Sequence, residues 1–275
     1  MISFSQDEWA CRQITELNGL DRLMNLFSTL VSEGSFSETQ KLMVELALLL
    51  LSNLTQSREG VMKFLHLETK EHLGVHFIFL FDKFVNPKLS EIFKFAGNVF
   101  SNITAIKEAR DLLILPEYKV ISNLMTIVDT SIKEIRLGAL RSIRNLAFEY
   151  ENGSFLDQIL DEKTQFMECL TNIMGEISIF CNVIDAKIKA DLKNVNVIYN
   201  ENKAWKDVKF LEEIVIVLDI ILVLTNINEI EKKIKFNHEK LTKILLILKP
   251  LVPGEIKDKI DVILCLFCQI NPENH

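Results

Sequence analysis

Residues 98–106 read NVFSNITAI, and the reading of this chain of 275 residues turns on what its Asn102 is for. Asn102-Ile-Thr104 fits the acceptor pattern for N-linked sugar, as does Asn53-Leu-Thr55 within LLLLSNLTQ at 48–56. The same setting also recurs without the threonine. LLSNLT at 50–55, VFSNIT at 99–104 and SIRNLA at 142–147 each close an apolar run, and their asparagines are Asn53, Asn102 and Asn145. What recurs is an asparagine at intervals in the forties of residues, and the sugar pattern is a by-product of it.

The apolar residues around these asparagines follow a helical period. Leu89, Ile92, Phe93, Ala96, Val99, Phe100 and Ile103 make one stripe at 3.6-residue spacing, and so do Ile132, Ile135, Ala139, Leu140, Ile143, Leu146 and Ala147. Ile256, Ile260, Ile263, Phe267 and Ile270 make a third. Start signals accompany them. Asn86-Pro87 offers a cap and a first-turn proline, while Ser131 with Glu134 and Ser35 with Glu38 have capping-box spacing. Only nine Gly and five Pro interrupt the chain.

Multi-helix units repeating at this interval predict an all-α, right-handed α-solenoid of armadillo/HEAT-like repeats, because each unit is too small to bury its own apolar face. The expected layout is a single armadillo-like solenoid domain over 1–275, opening with a truncated repeat at about 5–32. Repeats follow at about 37–84, 86–128 and 131–180, then an irregular insertion at about 185–207 and C-terminal helices over 208–271. In that last part DIILVLTNI at 219–227 is echoed by DVILCLFCQ at 261–269.

Composition narrows the function. A net charge of −7 speaks against a nucleic-acid binder, which needs a basic face, and against adhesion to anionic lipid. No secretory signal is visible at the start, and no run reaches the ~18 apolar residues of a membrane span. Five cysteines, Cys11, Cys169, Cys181, Cys265 and Cys268, read as reduced, mostly buried thiols of a cytosolic protein, where glycosylation would not meet Asn53 or Asn102.

FAGNVFSNITAIKEARDLLI at 95–114, followed by GALRSIRNLAFEYENGSFL at 138–156, resembles the armadillo-type cochaperone family that serves translation elongation factor 2. Gly97, Ser101, Asn102, Thr104 and Arg110 fit the family's first motif; Ile143, Arg144, Asn145, Phe148 and Glu149 fit its second. The likeness runs from about Ser37 to Ile270. It departs from the family at 185–207, which lacks Pro and Arg, and at TNINEIEKKI, where the family has an Arg-rich signature. The resemblance implies a cytoplasmic, non-catalytic cochaperone that binds newly made elongation factor 2 and links it to the cytosolic chaperonin. The alternative is a generic armadillo peptide-binding adaptor or transport receptor. The expected state is a monomer without cofactor, metal, nucleic acid or membrane.

The expected client-binding residues are Asn53, Asn102, Arg110, Arg141, Arg144, Asn145, Phe148 and Glu149. An asparagine amide can pair with a ligand backbone as donor and acceptor together. It can equally bond its own helix end or the neighbouring repeat, and the sequence leaves both open. His72 and His76 have the spacing of a helical zinc pair, but no Glu stands between them and no third His is expected within reach, so surface or partly buried histidines are expected. Cys265-Leu-Phe-Cys268 falls in an apolar helix and is expected in the core. Acidic pairs such as Glu212-Glu213 are expected on helix surfaces, and no catalytic motif appears.

Overall fold

The computed structural model describes residues 5, 7–32, 35–69, 72–160, 166–178, 211–225 and 239–270. The expected insertion at 185–207, Cys181 and the Asn226 region lie outside them. No strand occurs among the described residues. The chain divides into two compact units, Met1–Glu149 and Tyr150–His275.

The first unit is an all-α solenoid of three-helix repeats. Helices α1 (Glu8–Glu16), α2 (Gly19–Ser32) and α3 (Glu38–Leu54) form one triplet. Helices α4 (Arg58–Phe64), α5 (Val75–Val85) and α6 (Ala96–Ala105) form the next, and α7 (Lys107–Leu113), α8 (Val120–Ile127) and α9 (Lys133–Ala147) the third. Equivalent helices stack: α1 on α4, α5 on α8, and α3 on α6 on α9. Each triplet therefore closes on its asparagine-bearing helix, whereas the expected boundaries opened a repeat there.

Side-chain caps set the helix starts. Asp7 Oδ1 accepts from the Ala10 amide at 3.0 Å, and Ser57 Oγ from the Gly60 amide at 3.0 Å, each satisfying a donor the first turn leaves open. The capping box before α3 is built by Ser37 and Gln40, two residues on from the expected Ser35 and Glu38. The Gln40 amide donates to Ser37 Oγ at 3.3 Å, and the Ser37 amide to Gln40 Oε1 at 2.8 Å.

Two expected starts are corrected. Ser131 and Glu134 form no box: α9 begins at Lys133 behind Ile132, whose amide donates to Thr130 Oγ1 at 3.2 Å. The stripe from Leu89 to Ile103 is not one helix, because 88–95 runs as successive turns and α6 starts only at Ala96. Asn86 ends α5, and its Oδ1 takes the Lys88 amide at 3.0 Å. The apolar period survives because these turns keep near-helical bonding, as in Phe93 N to Leu89 O at 3.0 Å.

The core is apolar and rich in Phe. Phe100 of α6 meets Phe77, Phe81 and Phe84 of α5 with ring centroids 5.3, 5.4 and 5.2 Å apart. Such pairs add about 0.5–1.5 kcal/mol each beyond the area they bury. Gly97 and Gly138 let α6 and α9 pack backbone to backbone: a Cβ on Gly138 would stand 2.4 Å from the Gly97 Cα.

The second unit contains α10 (Gly153–Leu160), α11 (166–178), α12 (Leu211–Leu224), α13 (239–248) and α14 (Gly254–Ile270). The two echoed aspartates both carry ion pairs, Asp219 of α12 with Lys259 of α14 and Asp261 with Lys249. On α14 the stripe Ile256, Ile260, Ile263 and Phe267 is buried as expected. Cys265 and Cys268 are exposed, contrary to expectation, because they fall between those positions on the far side of the helix. Glu213 is buried in α12 rather than lying on its surface, while Glu212 is exposed. No helix among the described residues is long and apolar enough to cross a membrane.

Candidate functional site

The recurring asparagines form a ladder through the first unit. Asn102 Nδ2 donates to the Ser52 carbonyl at 2.8 Å and to Thr55 Oγ1 at 3.3 Å, both on α3 or its cap. One repeat on, Asn145 Nδ2 donates to the Ser101 carbonyl at 3.0 Å and to Thr104 Oγ1 at 3.2 Å. The threonines pass the bonding on. Thr55 Oγ1 donates to the Leu51 carbonyl at 2.9 Å, and Thr104 Oγ1 to the Phe100 carbonyl at 2.8 Å. At the start of the ladder Ser5 takes the threonine's role, and Asn53 Nδ2 donates to its Oγ at 2.9 Å.

The Asn-x-Thr triplet thus has a structural meaning. Its Asn reaches back one repeat, and its Thr receives the Asn of the next. Asn145 is followed by buried Ala147 instead of Thr, so the third helix ends the relay two residues before the unit boundary at Glu149. The amide donors of all three asparagines are engaged by the protein itself. Among the described residues the Oδ1 of Asn102 accepts nothing, whereas that of Asn145 takes Arg144 Nη2 at 3.4 Å. Ladder partners at Thr55 and Thr104 are 1% exposed, so replacing an asparagine takes away the donor from which a buried hydroxyl accepts.

Three further expected residues meet at the end of α6. Arg110 Nε donates to Glu149 Oε1 at 2.7 Å, while its Nη1 donates to the Thr104 and Ala105 carbonyls at 3.2 and 2.9 Å. Those carbonyls are the ones a helix end leaves without partners. The Arg110 guanidinium also lies 6.0 Å from the Phe148 ring centroid. Arg110 and Glu149 are largely buried, and Phe148 keeps 56% of its surface exposed. Arg141 Nη1 reaches Asn98 Oδ1 at 3.5 Å, another link from α9 to α6.

The sequence reading missed one group. Leu42, Met43 and Leu46 on α3 are 54%, 40% and 43% exposed, although the Leu-rich run around them suggests a helix buried all round. The helical period held the signal: 42, 46, 49 and 53 share one line along α3, which ends on Asn53. The histidine pair is exposed and partly buried, as expected. His72 lies in the turn before α5 and is exposed, while His76 on α5 pairs with Asp21 at 2.9 Å.

A family model described as "Domain of unknown function (DUF383)" matches residues 35–180, which covers α3 through α11. The chain belongs to that family. Among curated proteins none matches significantly. Solved structures show the fold. Computationally designed armadillo repeat proteins for modular peptide recognition align with a TM-score of 0.65 and 16% identity, over 97% of this chain and 90% of theirs. A designed armadillo repeat protein in complex with the peptide (KR)4 gives the same values. An engineered protein aligns at 0.65 with 12% identity, over 98% of this chain and 89% of its own. This member of the DUF383 family therefore has the armadillo fold.

Proposed function

We propose that this protein is a non-catalytic binding scaffold whose client face is the layer of α3, α6 and α9. The observation that carries the reading is the exposed Leu42 and Leu46 in line with Asn53, with exposed Met43 beside them. Apolar side chains on a helix already packed against its neighbours gain by burial against an incompletely folded client. The ladder holds the three helices in register, so the face is preorganised and binding costs little ordering. Phe148, Arg141 and the Asn102 carbonyl oxygen extend the same face with an aromatic ring, a cation and an acceptor.

Following the sequence resemblance, the client is newly synthesised translation elongation factor 2, which this cytoplasmic cochaperone holds and links to the cytosolic chaperonin. The test is co-purification of the tagged chain from extract of its own cells, read by mass spectrometry. Recovery of the factor or the chaperonin, lost on Leu46→Asp with an unchanged melting temperature, supports the proposal. Recovery of neither sinks it.

A second reading, a peptide-binding adaptor or transport receptor, is favoured by one pairing of facts. The chain carries a net charge of −7, and a structural neighbour is a complex with (KR)4. Selective capture of basic peptides on an array would decide for it.

A further inference from the structure

A histidine cluster sits between the first two repeats, away from the layer of asparagine-bearing helices. Asp21 is on α2, His76 is on α5, and His66 lies just past the end of α4. One donor atom from each of Asp21, His66 and His76 lies within 4.8 Å of the other two. The His66 and His76 rings are 4.6 Å apart at 55°. All three residues are half-buried, and His66 Nε2 is shielded from solvent with no hydrogen-bond partner among the described residues.

The backbone at His66 is unusual for its residue type. The Leu67 amide bonds the Met62 carbonyl at 3.0 Å and the His66 amide bonds the Lys63 carbonyl at 3.1 Å, the two bonds of a Schellman helix end. His66 occupies the left-handed position of that motif at φ +54°, where glycine is usual. A bulky imidazole stands where the helix end favours no side chain, and it places a nitrogen beside His76 and Asp21.

We propose that Asp21, His66 and His76 form a binding site for a divalent transition-metal ion of the zinc class, clamping the first repeat to the second. Two imidazoles and one carboxylate suit such an ion, which takes N and O donors at about 2.0–2.2 Å. Tetrahedral donors then lie about 3.3 Å apart, so small side-chain rotations close the present separations. A metal on His76 Nε2 replaces the hydrogen bond to Asp21, and the ring proton resides on Nδ1. Burial, and next the neighbouring His76, hold the His66 pKa below its usual value. A fourth position is left for water.

The test uses the full chain, freed of any affinity tag and stripped with chelator, titrated with ZnCl2 by calorimetry and followed by thermal melting. The expected result is stoichiometric binding, a raised melting temperature, and a tetrahedral visible spectrum with Co2+ as probe. His66→Gly and His76→Gln should each weaken binding at least about 10–100-fold, as loss of even an outer partner does. His72→Ala should bind as the parent. His66→Gly is the folding control, since glycine suits φ +54° and should keep or raise the metal-free melting temperature. No stoichiometric uptake overturns the proposal, and so does uptake that survives both His66→Gly and His76→Gln.

Discussion

Gly97 of α6 and Gly138 of α9 meet backbone to backbone, with space on neither side for a methyl group. A Cβ on Gly97 would stand 2.8 Å from the Gly138 Cα, and one on Gly138 2.4 Å from the Gly97 Cα. This contact sets how closely two asparagine-bearing helices approach, and so whether Asn145 can reach Ser101 and Thr104.

Gly138→Ala should therefore destabilise the first unit through overpacking, by about 1–3 kcal/mol. The obstacle is backbone, which cannot rotate away. Gly153→Ala, where nothing lies within 4 Å of the new methyl, serves as the control and should melt like the parent. Circular dichroism through thermal and urea unfolding reads both.

The ladder predicts a graded loss of stability. Asn145→Ala and Asn102→Ala each remove two hydrogen bonds between neighbouring repeats, one to a carbonyl and one to a buried threonine hydroxyl, costing about 1–3 kcal/mol apiece. Asn53→Ala should cost less, because its side chain makes a single hydrogen bond among the described residues, to Ser5 Oγ. Equal and negligible losses in urea titrations would show that the ladder is dispensable and leave the asparagines to a client.

Arg110 and Glu149 should be energetically coupled. Their side chains are 13% and 14% exposed, and Arg110 also holds two helix-end carbonyls. A double-mutant cycle with Arg110→Ala and Glu149→Ala should give a coupling of about 0.5–3 kcal/mol. Arg110→Lys should not restore stability, since one ammonium cannot span the carboxylate and both carbonyls as the planar fork does.

Thiol reactivity should separate the cysteines. Cys265 and Cys268 are exposed and should be labelled first by a disulfide reagent at mildly alkaline pH. Cys11 should be slowest: it is buried, its Sγ donates to the Ser5 carbonyl at 2.8 Å, and burial followed by Asp7 raises its pKa. Peptide mapping after timed labelling checks the order, and early labelling of Cys11 would contradict it.

Much of the fold was legible because it is written in local terms. Apolar spacing marked α9 and α14, and the recurrence of Asn53, Asn102 and Asn145 marked equivalent helices of an armadillo-type stack. Local signals failed where two competed. Ser35 and Ser37 both precede a suitable partner by three residues, and only the packed position of α3 chose Ser37. The stripe from Leu89 to Ile103 kept its period through turns, so periodicity could not show that α6 begins at Ala96.

By itself the sequence determined that the chain is helical, repeating, and marked at each repeat by an asparagine. Helical period and repeat spacing follow from residue order alone. Only the tertiary structure decided what those asparagines bond, that Leu42, Met43 and Leu46 stay exposed, and that Asp21, His66 and His76 converge. These are contacts between residues tens of positions apart, and they exist only once packing has fixed which face of each helix meets its neighbour.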